Sequence, residues 1–221
     1  PNHAEYVLEE RMAQNLKNVQ EFIESLVQAY TPKAEAENQM LADFKNQKTG
    51  SPDVLPWERS FWVKKLETER LNFDSEVFKE YLSYSNVKNG FFNLVQEMYG
   101  LKLIERPDLP RIDNDMEVVE VRSENNELYG FVIIDMYARE IKRGGAWMNQ
   151  ILSSIQENGQ RTPAIVSINM NLAKPEGTNP FLLKLDDGET FFHEFGHALH
   201  GLLTKARYFS QSGTNVKWDF V

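Results

Sequence analysis

Residues 193–200 read His-Glu-Phe-Gly-His-Ala-Leu-His, and apolar residues flank them on both sides. The pattern predicts one largely buried helix from about Asp187 to Lys205, with an aspartate at 186 or 187 as its N-cap. On such a helix His193 and His197 lie one turn apart on the same face, with Cβ atoms ~5–6 Å apart. Two imidazoles at that separation can occupy two corners of a zinc tetrahedron. The stretch therefore predicts a helix that supplies two ligands to a metal ion.

The glutamate between these histidines, Glu194, follows the first of them, so it lies beside the metal rather than on it. There it can take a proton from water, whose pKa zinc lowers toward ~7. The same carboxyl group can then protonate a departing amine. Hydrolysis of a peptide needs a Lewis acid, a nucleophile and a proton shuttle. The stretch therefore indicates a peptide hydrolase with Zn²⁺ as cofactor and Glu194 as catalytic base.

The motif is short, and its specificity comes from its surroundings. Three fixed positions in five residues arise by chance in roughly one chain in a hundred of this length. Three of the four histidines of the chain, however, fall within this one stretch. The competing interpretation is an ordinary amphipathic helix with histidines on its surface. Gly196 in the helix interior costs ~1 kcal/mol against alanine, so we expect another group to pack closely on it.

The third ligand is not identified by this stretch. The longer metzincin pattern requires Gly and then His at positions that hold His200 and Leu203 here. A glutamate from a second element is the common remaining solution. For His200 two roles stay open, namely support of the metal ligands or substrate, and a packed, hydrogen-bonded histidine. Asp219 is a candidate substitute ligand, although a structural hydrogen bond is its favoured role.

The first 100 residues have the spacing of helices. An apolar stripe begins at Leu8 and ends at Tyr30, and Thr31-Pro32 is expected to end this helix and begin the next. A third helix carries three aromatic residues that we expect in the core, Trp57, Phe61 and Trp62. This third helix is expected at Pro56–Leu71. Two further helices are expected at Ser75–Leu82 and Asn86–Tyr99.

From about residue 101 onward β-branched and aromatic residues become common. The segments 118–122 and 128–136 flank a turn and predict a hairpin, and 163–170 is expected to be a third strand. A short helix is expected to begin at Ala146. We therefore predict a mainly α fold with a small β-sheet, an α+β protein in which the motif helix lies beside the sheet. The predicted parts are a helical one, residues 1–100, and one with the strands and the motif helix, residues 101–221.

The strand over residues 163–170 immediately precedes the motif helix. In zinc peptidases of this kind an edge strand commonly pairs with the extended substrate. We assign Ile168, Asn169 and Met170, up to Asn171, to that role as a hypothesis. A plain core strand is the equal alternative, and pairing on both sides would exclude the edge position. Elsewhere, Asp135 within an apolar strand is expected to form an ion pair with Arg139 or Arg143.

Bulk composition excludes several kinds of partner. The net charge is −9, from 24 basic and 33 acidic residues, and an acidic surface argues against nucleic acid and anionic membranes. The chain has no cysteine, which excludes disulfides and thiolate metal sites. No apolar run approaches the ~18–20 residues of a membrane span.

The ends of the chain look like those of an excised piece. It begins at Pro1 without a signal pattern and ends on Asp-Phe-Val. A cytoplasmic location is favoured, a periplasmic one stays open, and the oligomeric state is undetermined.

These residues resemble the thimet oligopeptidase family of zinc peptidases. The likeness runs from His193 to Leu202 and continues through Arg207-Tyr208, Ser212-Gly213-Thr214 and Asp219-Phe220-Val221. Upstream, segments 2–12, 137–139 and 144–148 look most like its bacterial peptidyl-dipeptidase (dipeptidyl carboxypeptidase) branch. The likeness spans essentially the whole chain but only the middle of a family member, which is a much longer protein.

The resemblance implies zinc ligation by His193 and His197, with Glu194 as the general base. In the family, Asp-Phe-Val is followed by a glutamate that is the third ligand, so that ligand is expected directly after Val221. The implied activity is hydrolysis of short unstructured peptides in a deep channel, with release of C-terminal dipeptides. The alternatives are an oligopeptidase that cuts internally and a non-catalytic helical scaffold that retains the motif.

Overall fold

A computed structural model describes residues 2–71 and 75–220 of the chain. The chain separates into two compact units, residues 1–74 and 75–221. The sequence predicts a different division, at residue 100, into a helical part and a part that contains the strands. That division stays a prediction.

The first unit is helical. It contains α1 (His3–Leu8), the long α2 (Leu16–Thr49), a 3-10 turn (Pro56–Glu58) and α3 (Arg59–Leu71). Its small core is built from Leu41, Phe44 and Trp62, and the rings of Phe44 and Trp62 meet edge to face at 6.3 Å. The buried ammonium of Lys45 donates to the carboxylate of Glu58, which links α2 to the 3-10 turn.

Two expectations for this unit are wrong. The apolar stripe from Leu8 is interrupted, because α1 ends there and α2 begins at Leu16 after the N-cap Asn15. The break at Thr31-Pro32 does not occur, and Pro32 lies inside α2. A proline costs an interior helix ~3 kcal/mol, but the strong helix formers on both sides of it favour continuation.

The expected aromatic core of α3 is confirmed only in part. Trp62 is buried, whereas Trp57 and Phe61 are exposed. Spacing along one helix shows which residues share a face, but it does not show how much of that face another element covers.

The second unit is built on a five-stranded sheet with strand order β1-β2-β3-β7-β4. The strands are β1 (Leu101–Glu105), β2 (Glu117–Ser123), β3 (Leu128–Tyr137), β4 (Trp147–Leu152) and β7 (Ala164–Leu172). Pairing is antiparallel except between β3 and β7, which run parallel. The predicted hairpin is confirmed as β2 and β3. A separate two-stranded sheet joins β5 (Gln156–Glu157) to β6 (Gln160–Arg161).

The helix expected from Ala146 is wrong, because this segment is strand β4. It pairs with β7 along one side only, from Trp147↔Asn169 to Leu152↔Ile165. Among the described residues no strand pairs with its other side, so β4 is an edge of the sheet.

Glycine permits a close approach of β3 to β7. Gly130 has φ +153°, and a Cβ atom at this position would lie 2.1 Å from the carbonyl oxygen of Ala164. No side chain fits in that space, so the parallel pairing at the start of β7 requires glycine.

Three helices complete the second unit: α4 (Ser75–Phe78), α5 (Tyr84–Tyr99) and α6 (Leu185–Leu203). Helix α6 packs on β7, β4 and β3, and α5 contacts β1. Phe91 of α5 meets Phe195 of α6 with ring centroids 4.6 Å apart. The fold is therefore α+β, with the motif helix beside the sheet, as predicted. No helix among the described residues is long and apolar enough to cross a membrane.

Candidate active site

The motif helix α6 starts two residues earlier than predicted. Its N-cap is Lys184, whose backbone N–H donates to the carboxylate of Asp187 at 2.9 Å. The predicted aspartate thus stabilises this end from the third helical position rather than as the cap itself. The negative charges of two aspartates in the first turn also interact favourably with the positive end of the helix dipole.

One face of α6 is buried and the other carries the histidines. The buried residues of α6 are Glu194 and Gly201 and the apolar Phe191, Phe195, Ala198, Leu199 and Leu202. With 100° between successive residues, His193, His197 and His200 fall within a narrow stripe on the opposite side. His193 and His200 are exposed and His197 is half-buried. The packing of α6 on the sheet therefore presents the histidines outward.

The two motif histidines are in direct contact through their ring nitrogens. Their Nε2 atoms lie 3.1 Å apart, and the two rings are nearly perpendicular, with centroids 4.7 Å apart. Two nitrogens that share a tetrahedral zinc ion, each at ~2.0–2.1 Å, would lie about 3.3–3.4 Å apart. The pair fits a shared zinc ion after an adjustment of a few tenths of an ångström.

Glu194 lies beside this pair in a pocket. Its side chain is buried, at 7% exposure. The pocket, about 290 Å³ in volume, is lined by Ala146, Trp147, Met148, Glu194, His197 and Thr214. The carboxylate therefore faces a cleft between α6, the edge strand β4 and the 212–214 loop.

A complete metal-ligand set is not present in this part of the chain. Within residues 2–71 and 75–220 no three His, Asp or Glu side chains come close enough together to hold a metal ion. Asp219 therefore does not complete the histidine pair. The third ligand expected after Val221 falls outside the described residues and stays a prediction.

His200 lines a second cleft on the other side of the histidine stripe. This cleft, about 430 Å³ in volume, is formed by Tyr99, Gly196, Leu199, His200, Leu203 and Thr204. The close packing expected on Gly196 is wrong, since a Cβ atom there would have no atom of another element within 4 Å. Gly196 borders open space. The role of His200 stays a prediction.

The edge position expected for residues 168–171 is wrong. Ile168 pairs with Ile134 of β3 on one side and with Met148 of β4 on the other. Asn169 is likewise paired on both sides, and Ile168, Asn169 and Met170 are all buried. The strand is central because β4, which the sequence led us to expect as a helix, covers its outer side.

Sequence reasoning missed the walls of the Glu194 pocket. The sequence predicts a helix at Trp147 and Met148, and it singles out Thr214 only within the resemblance to the peptidase family. The available signal was the Gly144-Gly145 turn followed by the strand-like Trp-Met-Asn-Gln-Ile-Leu. The expected ion pair of Asp135 is confirmed with Arg139, through two hydrogen bonds of 2.7 and 2.6 Å.

Comparison with known proteins places this chain among the peptidases. The sequence model of Peptidase family M3 matches residues 1–221. The chain therefore belongs to peptidase family M3, whose members are generally zinc metalloproteases.

Several curated relatives match along the chain. Oligopeptidase A of Escherichia coli (strain K12) is 32% identical over 100% of this chain and 33% of its own length. Dipeptidyl carboxypeptidase of the same organism is 32% identical over 100% of this chain and 32% of its own length. Thimet-like oligopeptidase of Dictyostelium discoideum is 29% identical over 95% of this chain and 33% of its own length. The chain thus spans about a third of the length of these relatives.

Proposed function

We propose that this protein is a zinc-dependent metallopeptidase that hydrolyses short, unstructured peptides. One observation carries the proposal: the Nε2 atoms of His193 and His197 lie 3.1 Å apart beside the buried Glu194. Membership of a peptidase family supports the same chemistry.

In this proposal the histidines hold zinc through Nε2, and a third ligand comes from outside the described residues. When bound, zinc supplies a Lewis acid that polarises the scissile carbonyl and lowers the pKa of water. Glu194 lines the same cleft as His197, and this position suits a group that takes a proton from the attacking water. The same carboxyl group then gives a proton to the leaving amine.

In this proposal the substrate pairs with strand β4 rather than with β7. The first residues of β4, Trp147 and Met148, line the same cleft as Glu194, and its outer side is unpaired within the described residues. A free strand edge can bind an extended peptide through backbone hydrogen bonds. Such pairing requires an unstructured substrate, because the peptide backbone must be accessible.

The test is the Glu194→Gln substitution in the full-length natural protein. Gln preserves the shape of the side chain but cannot shuttle a proton, so kcat on a fluorogenic peptide should fall ~10²–10⁴-fold. Zinc affinity, measured by calorimetry, should stay within about twofold of the wild type. Glu97→Gln, an exposed glutamate on α5, is the control and should keep wild-type activity. If Glu194→Gln retains full activity, the proposed mechanism fails.

For the mode of cleavage we favour release of C-terminal dipeptides, on the basis of the resemblance of segments 2–12, 137–139 and 144–148. Oligopeptidase A and dipeptidyl carboxypeptidase match equally well at 32% identity, so internal cleavage is the second candidate. A matched peptide pair separates the two. A peptidyl-dipeptidase should cut the peptide with a free C-terminal carboxylate and lose at least about tenfold in kcat/KM on its amide, since one charge-assisted contact is lost. An internally cutting enzyme should cleave both alike.

A non-catalytic scaffold is the alternative from another class. It predicts no peptide hydrolysis by the wild-type protein at saturating zinc. The observation that favours the enzyme is the intact motif, in which Glu194 and His197 line one cleft and His193 lies 3.1 Å from His197.

A further inference from the structure

The loop between β3 and β4, residues 138–146, is held by side chains of the neighbouring central strand. Asn171 of β7 donates from Nδ2 to the carbonyl oxygens of Arg143 at 2.6 Å and Gly145 at 2.7 Å. Asn169 of β7 donates from Nδ2 to the carbonyl oxygen of Trp147 at 3.2 Å. Two asparagines on one face of β7 thus bind the end of the loop and the first residue of β4.

These contacts lie where the backbone pairing of the two strands ends. The register between β4 and β7 begins at Trp147↔Asn169, and Asn171 is two residues further along β7. Beyond this point the Asn171 side chain supplies the hydrogen bonds that a strand partner would otherwise supply. The amide groups therefore extend the attachment of this segment past the end of the ladder.

A buried ion pair at Lys142 holds the middle of the loop. The Lys142 ammonium donates to the carbonyl oxygens of Asp135 and Tyr137, each at 2.9 Å, and lies 3.0 Å from the Asp135 carboxylate. Both side chains are only 4% exposed. Burial lowers the pKa of Lys142, although the Asp135 carboxylate opposes this effect. The loop is therefore held from β3 as well as from β7.

The segment held in this way leads directly into the candidate active site. Ala146, the last residue of the loop, lines the cleft with Glu194 and His197, as do Trp147 and Met148 at the start of β4. Because the asparagines bind backbone carbonyls, they fix the position of the backbone itself. Peptide binding by strand addition depends on the position of backbone donors and acceptors.

We propose that Asn169 and Asn171 are positioning residues that set the place of the β4 edge relative to Glu194, so that a peptide can pair with it. The inference rests on the proposed function, since it assumes that the peptide binds along β4. In this inference Asn169 acts on the substrate indirectly, by holding β4 in place. The sequence instead led us to expect a direct contact between Asn169 and the substrate.

The test uses the inactive Glu194→Gln protein, in which an uncleaved peptide can be titrated by calorimetry. Asn171→Asp is nearly isosteric but lacks the amide donor, so the peptide Kd should rise about tenfold, as expected when hydrogen bonds that place a binding strand are lost. Asn171→Ala removes the donor without adding a charge and should give a similar increase. Asn93→Asp, on an exposed face of α5, is the matched control and should leave the Kd within twofold.

Two further readouts separate positioning from general damage. Zinc affinity and the Kd of acetohydroxamate, a small metal-directed probe, should stay within about twofold in both Asn171 variants, because neither depends on the strand edge. In the active protein the same variants should raise KM with little change in kcat. A change in zinc or acetohydroxamate affinity as large as the change in peptide affinity would overturn positioning in favour of a structural role for the whole site.

The outcomes also distinguish this inference from the proposed function. An unchanged peptide Kd in both Asn171 variants overturns the inference, while hydrolysis by the wild type and its loss in Glu194→Gln would leave the proposed function standing. If wild type hydrolyses no peptide and Glu194→Gln binds none, the proposed function fails, and the inference fails with it.

Discussion

Gly201 on α6 faces Val166 on β7 so closely that a Cβ atom on the glycine would lie 3.2 Å from Val166 Cγ1. Val166 is fully buried on the central strand. Its branched side chain has little rotamer freedom with which to move away. This contact therefore sets how closely the histidine-bearing helix approaches the sheet.

The two interior glycines of α6 should respond to alanine in opposite directions. Gly201→Ala should destabilise the protein by about 1 kcal/mol, because overpacking against Val166 outweighs the gain in helix propensity. Gly196→Ala should stabilise it by up to about 1 kcal/mol, since a Cβ there meets open space. Urea unfolding of both variants measures the difference. Equal effects would mean that Val166 yields to the added methyl group.

Removal of either motif histidine should abolish tight zinc binding. His193→Ala and His197→Ala each delete one of two converging Nε2 atoms, so the zinc Kd should rise by at least about 100-fold. Calorimetry after chelator treatment measures the Kd and the stoichiometry. His3→Ala, an exposed histidine of the first unit, is the control. Wild-type zinc affinity in either motif variant would assign the metal to another site.

Asp135 should make stability depend on pH at the acid end. Burial by itself raises the pKa of Asp135, but its hydrogen bonds and charge pairs with Arg139 and Lys142 outweigh burial and hold the pKa below its ordinary value. A carboxyl group with a depressed folded pKa stabilises the protein above its unfolded pKa of about 3.9, and this stabilisation is lost as the pH falls through the folded pKa.

Asp135→Asn tests this linkage. At pH 7 the variant should lose about 3 kcal/mol of unfolding free energy, because Lys142 keeps a buried charge without its partner. The gap to wild type should shrink in urea unfolding below about pH 4. Asp43→Asn, an exposed aspartate on α2, should show neither effect. A gap that is constant with pH would contradict the linkage.

Arg161 should stabilise the C-terminal end of α6. Its guanidinium donates to the carbonyl oxygens of Leu202 at 2.6 Å, Leu203 at 3.3 Å and Thr204 at 2.6 Å. Arg161→Met should cost about 2 kcal/mol, since a charge-assisted cap is lost at the negative end of the helix. Arg161→Lys should recover only part of this, because an ammonium lacks the planar fork.

Thermal or urea unfolding of the Arg161 variants measures these effects. Arg59→Met, at an exposed arginine of α3, is the control. Full recovery of stability in Arg161→Lys would show that charge alone, rather than the three-carbonyl geometry, stabilises this helix end.

The parts of the fold that the sequence predicted are those with strong local periodicity. Helix α6 has an apolar face with a histidine stripe on the opposite side, and the β2–β3 hairpin has alternating residues around a turn. The convergence of His193 and His197 follows from helix geometry alone. For this reason the pair of metal ligands can be predicted from the sequence without any tertiary structure.

The features that the sequence did not predict are set by tertiary contacts or by the sum of many weak local preferences. Whether residues 164–172 form an edge or a central strand depends on β4, which is about 20 residues away in the chain. The continuation of α2 through Pro32 depends on the balance of propensities over many residues. The exposure of Gly196 likewise depends on what lies above the helix, which no local pattern encodes.

The pairing of β3 with β7 also restricts which residue can occupy position 130. Because the carbonyl of Ala164 lies where any β-carbon at position 130 would be, every substitution there must push apart the two strands beneath α6. In a saturation mutagenesis library, position 130 should therefore be as intolerant as the histidines. Its variants would fail by losing folded protein rather than by losing metal, so an activity screen alone would misclassify this glycine as catalytic.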